Sequence, residues 1–248
     1  MNFTPVLVGV ISPAALLLDA QSLVCCTALE IRYDLFPPDE WETLVERVRA
    51  LHPSAVVIGT IRMVADGGSY PDENLEERNG LWAELLDYAQ IPDWIDLEEQ
   101  SLDATSAVRL LALERKVQIL VSCHDFNGIA PMGALQKMVA NARRIKADGF
   151  KIAAMSKELG DCAPLYELAQ MEHVGFTWFA AFAMAATGKA SRLYSLVCGA
   201  NLTYGSLGET VAPGLIEAGQ MQSLLERVPR ARSEQDVWAW LRAQEENI

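Results

Sequence analysis

The chain has 248 residues, 51% hydrophobic and 21% charged, a composition suited to a globular protein with a sizeable core. Its formal charge of −13, with no basic block, excludes a protein built to grip phosphate backbones, so no nucleic-acid partner is expected. No apolar run reaches the ~20 residues of a membrane helix and the N-terminus lacks a basic leader, so the expectation is a cytoplasmic protein that does not contact membranes.

Apolar, β-branched runs alternate along the chain with stretches of 3.6-residue periodicity, and these two patterns read as strands and helices. A first strand over 6–11 leads to a helix over 14–22, and a strand over 28–32 to a helix over 40–51. Strands follow over 55–61, 94–97 and 117–122, with helices over 73–89, 104–115 and 133–145 after them. Three more strands, 149–154, 176–182 and 202–206, precede helices over 163–171, 189–197 and 216–227. Eight such units predict an α/β fold, a (β/α)8 TIM barrel occupying residues 1–230 as a single catalytic domain. No G-x-G-x-x-G follows the first strand, which weighs against a dinucleotide-binding sheet. Ser233-Glu-Gln-Asp236 looks like a helix start ahead of Val237-Trp238-Ala-Trp240-Leu. Residues 231–248 are therefore expected as a C-terminal helical extension packed on the barrel or on a partner subunit.

The five cysteines form no C-x-x-C and are odd in number, which suggests neither a disulfide framework nor a metal site. Cys123 adjoins His124, but neighbours in a strand point to opposite faces, so the two do not make a nucleophile and its base.

Barrels of this kind place their chemistry at the C-terminal ends of the strands. Unusual polar residues fall there. Glu30 and Arg32 close the second strand, Thr60 and Arg62 the third, Asp96 and Glu98 the fourth, and Ser122 and His124 the fifth. Each pair is two residues apart and shares a face. Lys151 interrupts the sixth strand, where an uncompensated ammonium is costly, and Arg192 follows the seventh in the segment that begins at Met184. Taken singly, a lysine near a strand end usually snorkels to water, a histidine there is usually structural, and Glu30 with Arg32 reads equally as an ion pair plugging the mouth. The joint placement points instead to an amine and an imidazole acting together on a carbonyl compound.

The ordered set of motifs carries a resemblance. Glu30-Ile-Arg32-Tyr-Asp34, Thr60-Ile-Arg62 with Gly67-Gly68, Asp96-Leu-Glu98, Ser122-Cys-His124-Asp-Phe126 with Pro131 and Lys151-Ile-Ala-Ala-Met155 with Asp161 resemble type I 3-dehydroquinate dehydratases, as do Met184 to Arg192, Gly199 to Tyr204 and Ala212-Pro-Gly214. These are the Schiff-base enzymes of the shikimate pathway. The resemblance implies dehydration of 3-dehydroquinate to 3-dehydroshikimate by syn elimination. It assigns Lys151 to the imine, His124 to proton transfer and Asp66 to orienting His124. Glu30, Arg62 and Arg32 are implied at the ring hydroxyls, Arg192 at the carboxylate, and Ser122 and Met184 around the substrate. It calls for no metal and no organic cofactor, and it implies a homodimer.

The departures from the family pattern are specific. Asp66 stands where a longer glutamate is usual, Ala130 where a threonine is, and Val211 and Leu215 where a serine and a glutamine close over the carboxylate. The apolar lid motivates two further readings: a weak or inactive barrel that binds a metabolite or a partner, and a lysine-dependent aldolase or lyase with a different carbonyl substrate.

Overall fold

A computed structural model describes residues 5–186, 188–209 and 212–226. Eight of its nine strands are β1 (Val6–Ile11), β2 (Ala28–Arg32), β3 (Val56–Thr60), β4 (Trp94–Glu98), β5 (Gln118–Asp125), β6 (Gly149–Met155), β7 (Trp178–Met184) and β8 (Leu202–Ser206). The ninth, β9 (Ile216–Glu217), is a two-residue strand on β8. All pair in parallel, in the order β7-β6-β5-β4-β3-β2-β1-β8-β9. Eight helices follow in turn: α1 (Ala20–Leu23), α2 (Trp41–Leu51), α3 (Leu75–Leu85), α4 (Ser106–Glu114), α5 (Met132–Arg144), α6 (Ala163–Glu172), α7 (Lys189–Val197) and α8 (Ala218–Leu225). This is the expected TIM-barrel architecture.

Alternation along each strand divides the core in two. In β6, Phe150 and Ile152 join the large cluster between sheet and helices, whereas Lys151 and Ala153 face the barrel interior. The interior floor is apolar, built from Val8, Ile58, Leu120, Leu202 and the pair Trp94 and Trp178. Those two indoles stack 3.9 Å apart at 8°, which brings β4 and β7 together across the barrel. Gly149 makes room for them, since a Cβ there would lie 2.8 Å from Leu120 Cδ1 and 3.1 Å from the Trp94 ring. Between β7 and β8, Asn201 makes the join. Its N–H donates to the Phe179 carbonyl at 2.9 Å and its side-chain oxygen accepts the Phe179 N–H at 2.8 Å.

Three elements differ from the sequence reading. The helix expected over 14–22 is broken, because Leu18 is extended (φ −70°, ψ 154°) and Asp19 accepts the Ser22 N–H at 2.9 Å, so a fresh, four-residue helix begins at Ala20. β5 runs on to Asp125, which puts His124 inside the strand. Ile216 and Glu217, read as the opening of the last helix, add to β8 instead, and the Glu217 carboxylate caps α8 through the N–H groups of Gly219 and Gln220. Val211 and the helix expected over 231–248, with Trp238 and Trp240, lie outside the described residues.

Candidate active site

Above the apolar floor the inward positions turn polar. Register pairs Thr60 with Asp96, Glu98 with Ser122, and Ser122 with Lys151, so neighbouring strands present these groups at nearly one level. Arg62, just past β3, is the hub. Its Nη2 donates to Asp96 Oδ2 at 2.7 Å, and its Nη1 donates to Ser122 Oγ at 2.7 Å and to Glu98 Oε1 at 3.1 Å. Glu30 Oε1 lies 3.7 Å away. Lys151 Nζ donates to Asp96 Oδ2 at 2.9 Å and lies 4.0 Å from Glu30 Oε2. From α3, the fully buried Arg78 reaches Glu98 from behind. Burial would lower the Arg62 pKa, but Asp96, Glu98 and Glu30 hold it well above its ordinary value. Burial would likewise raise Asp96, but Arg62 and Lys151 outweigh it and keep that group a carboxylate. Desolvation makes such a cluster a weak source of stability, so its presence at a cavity wall points to chemistry.

A second group forms around His124. Asp66 Oδ1 lies 3.2 Å from His124 Nδ1 and also accepts the His124 main-chain N–H at 3.2 Å. The Gln100 amide holds the other carboxylate oxygen. The loop that carries Asp66 turns through Gly67 (φ +78°) and Gly68, whose Cβ would fall 2.0 Å from the Arg62 carbonyl oxygen. Asp34 fixes the same loop by accepting the N–H groups of Arg62 and Ser69 while Arg32 donates to both its oxygens at 2.8 and 2.7 Å. Glu30 and Arg32 therefore do not plug the mouth as a pair, because Arg32 is committed to Asp34. Burial pushes the His124 pKa well below its usual value, with Arg62 and Lys151 adding to the effect, so the imidazole is neutral near pH 7.

The third wall comes from β7, α7 and the segment after β8. Ala185, with φ 69°, turns the chain from Met184 toward α7. Ser191 Oγ ties α7 back to β7 by accepting the Ala183 N–H at 2.7 Å. Arg192 then stacks over Phe182, its Cζ 4.1 Å from the ring centroid, and donates from Nε to the Gly214 carbonyl at 3.2 Å. Among the described residues no carboxylate meets it and its buried Nη1 has no hydrogen-bond partner. Burial without a counter-charge lowers its pKa to about 9. Tyr204 on β8 lies beneath Lys151, with Nζ 4.6 Å from the ring centroid. Ala212, Pro213 and Leu215 close this end with apolar surface.

These walls enclose a cavity of about 100 Å³. Lys151, His124, Asp66, Glu30, Arg32, Arg62, Arg192 and Met184 all line it. Ser122 does not. Its short side chain lies behind Arg62, where its hydroxyl donates to Asp96 Oδ1 at 2.5 Å and accepts from Arg62. Three participants were given no role in the sequence reading. Gln100 and Arg78 act across long sequence separations that leave no local pattern. Tyr204 did carry a signal, a polar tip in the inward register of the eighth strand.

The chain has clear relatives. A family model described as Type I 3-dehydroquinase matches residues 5–229. The 3-dehydroquinate dehydratase of Methanosarcina mazei is 28% identical over 204 residues, which cover 80% of this chain and 84% of that protein. The protein of the same name from Pyrobaculum aerophilum is 31% identical over 194 residues, covering 77% of this chain and 60% of its own length. The crystal structure of 3-dehydroquinate dehydratase from Geobacillus kaustophilus HTA426 shares the fold, with a TM-score of 0.78 over 90% of each chain at 24% identity.

Proposed function

The chain belongs to the type I 3-dehydroquinase family, and from that premise we propose that it dehydrates 3-dehydroquinate to 3-dehydroshikimate through an imine on Lys151, with His124 carrying the protons. One observation supports this reading above the others. A lysine amine, a neutral imidazole and a guanidinium without a counter-ion line the same buried cavity.

The Lys151 nitrogen adds through its lone pair to the ring ketone carbon, and its surplus proton passes through His124 to the former carbonyl oxygen. A further proton from solvent releases that oxygen as water and leaves a protonated imine, which acidifies the adjacent carbon. His124 takes a proton from that carbon to give an enamine. It then returns the proton to the hydroxyl on the next carbon, which departs as water. A single imidazole serving both events works on one face of the ring, so the elimination is syn. Hydrolysis of the conjugated imine consumes one water and frees product and Lys151.

Asp66, held by Gln100, fixes the ring of His124 during these transfers. Glu30 and Arg62 lie where ring hydroxyls would bind, Arg32 supports the rim through Asp34, and Met184 packs beside the substrate. Arg192 offers its free nitrogen to the carboxylate, which favours an acid over the carboxylate-free substrate of an aldolase. The apolar cover of Ala212, Pro213 and Leu215 favours a second reading, a related barrel that binds the acid with little turnover.

Incubation with 3-dehydroquinate and borohydride, followed by mass spectrometry of the Lys151 peptide and by absorbance of the conjugated enone, separates the readings. An adduct with turnover is the expected result. An adduct without turnover favours the binding protein, and the absence of an adduct refutes the imine.

A further inference from the structure

Of the cavity-lining side chains, two carry a buried polar atom that meets no hydrogen-bond partner among the described residues: Arg192 at Nη1 and Tyr204 at its hydroxyl. The first has a task in the proposed reaction and the second has none. A buried hydroxyl left unpaired costs stability, so its presence at the wall of a site calls for a ligand atom. Tyr204 is 4% exposed, and its register with Val8 on β1 fixes it inward.

We propose that Tyr204 is a catalytic residue whose hydroxyl donates a hydrogen bond to the oxygen on the carbon that Lys151 attacks, while its ring supports the positive charge of the resulting imine. This rests on the imine reading above. The ring lies beneath the nitrogen that becomes charged, with Nζ 4.6 Å from the centroid, so its negative face is set where the protonated imine must form. Glu30 is close enough to the hydroxyl to draw it by a side-chain interaction, though not placed for a full hydrogen bond. Burial, then Glu30 and Asp96, push the phenol well above its ordinary range, so it remains a donor. Two other donors of the cavity already have protein partners: Arg62 donates to Asp96, Glu98 and Ser122, and Lys151 to Asp96. As the C–N bond forms, the carbonyl π pair moves to oxygen, and Tyr204 hydrogen-bonds that oxygen while keeping its own proton. The protons that complete water arrive through His124 and solvent.

The test compares Tyr204→Phe and Tyr204→Leu with the wild-type chain in single-turnover borohydride trapping of 3-dehydroquinate on Lys151, alongside thermal melting. Tyr204→Phe is expected to slow adduct formation by a factor on the order of 100, as loss of one donor to a developing oxyanion does. Its melting temperature should be unchanged or higher, because an unpaired buried oxygen has been removed. Tyr204→Leu, which also loses the ring, should trap still less adduct. Trapping by Tyr204→Phe at the wild-type rate would overturn the proposal and leave the imine standing. Slower trapping with a lower melting temperature would make the hydroxyl structural and also overturn it. If the wild-type chain traps nothing, the imine itself fails and Tyr204 has no oxygen to serve.

Discussion

Asp66 and His124 are joined twice through one atom. Asp66 Oδ1 accepts the histidine main-chain N–H and stands 3.2 Å from its ring Nδ1, so a carboxylate one methylene shorter than the family's glutamate still reaches the imidazole. The reach depends on Gln100, which holds the second oxygen and stops the carboxylate from turning away. Gln100→Ala should therefore lower kcat about 10-fold with little change in KM or melting temperature, the scale usual for loss of an outer-shell orienting contact. Steady-state kinetics check this, and an unchanged kcat would mean that Asp66 orients the ring unaided.

Stability in acid should depend on His124. Its folded pKa is well below the ordinary value, chiefly through burial, whereas in the unfolded chain it protonates near pH 6.5. Between those two values the unfolded state binds the extra proton, so the contribution to stability is complete above about pH 6.5 and is lost as pH falls toward the folded value. His124→Gln should flatten the acid limb of a plot of melting temperature against pH and abolish turnover. His124→Ala should likewise fold and fail to turn over. An acid limb of unaltered slope would contradict the assignment.

Arg192 trades stability for affinity. Its guanidinium is buried, stacked on Phe182 and, among the described residues, without a counter-ion. Arg192→Met should raise the melting temperature of the free protein, because an uncompensated buried charge costs several kcal/mol. The same variant should lose roughly 10- to 100-fold in kcat/KM, since a hydrogen bond to a charged group contributes about 1.5–3 kcal/mol. Added 3-dehydroquinate should raise the melting temperature of the wild-type chain more than that of the variant. Equal shifts would remove the carboxylate from Arg192.

Leu215 lines the cavity at the Arg192 end and is 8% exposed. Leu215→Gln places an amide beside the proposed carboxylate and should lower KM for 3-dehydroquinate. A KM that stays level or rises would show that the apolar cover does not limit binding.

The barrel was legible because each strand is a short apolar run whose flanks and spacing repeat, and inward polar residues then follow from period-two alternation in Glu30, Asp96, His124 and Lys151. What escaped were relations fixed only by the closed sheet. Arg78 looks like any helix arginine until α3 packs and buries it against Glu98. Ser122 has the expected face, but Arg62 folds over its short side chain. The break at Leu18 depended on Asp19 capping a new turn, where periodicity alone continued the helix.

Arg192 is a buried cation in the cavity wall of a molecule of formal charge −13, so a keto-acid anion approaches against the general field and is welcomed only within the last few ångströms. Added salt shortens the range of the outer repulsion, to about 8 Å at 0.15 M, before it touches a desolvated pairing inside. Capture should quicken as ionic strength first rises and weaken only once salt competes for the guanidinium, giving KM a minimum at intermediate salt. The arrangement works as a filter that admits anions slowly and holds the ones that fit.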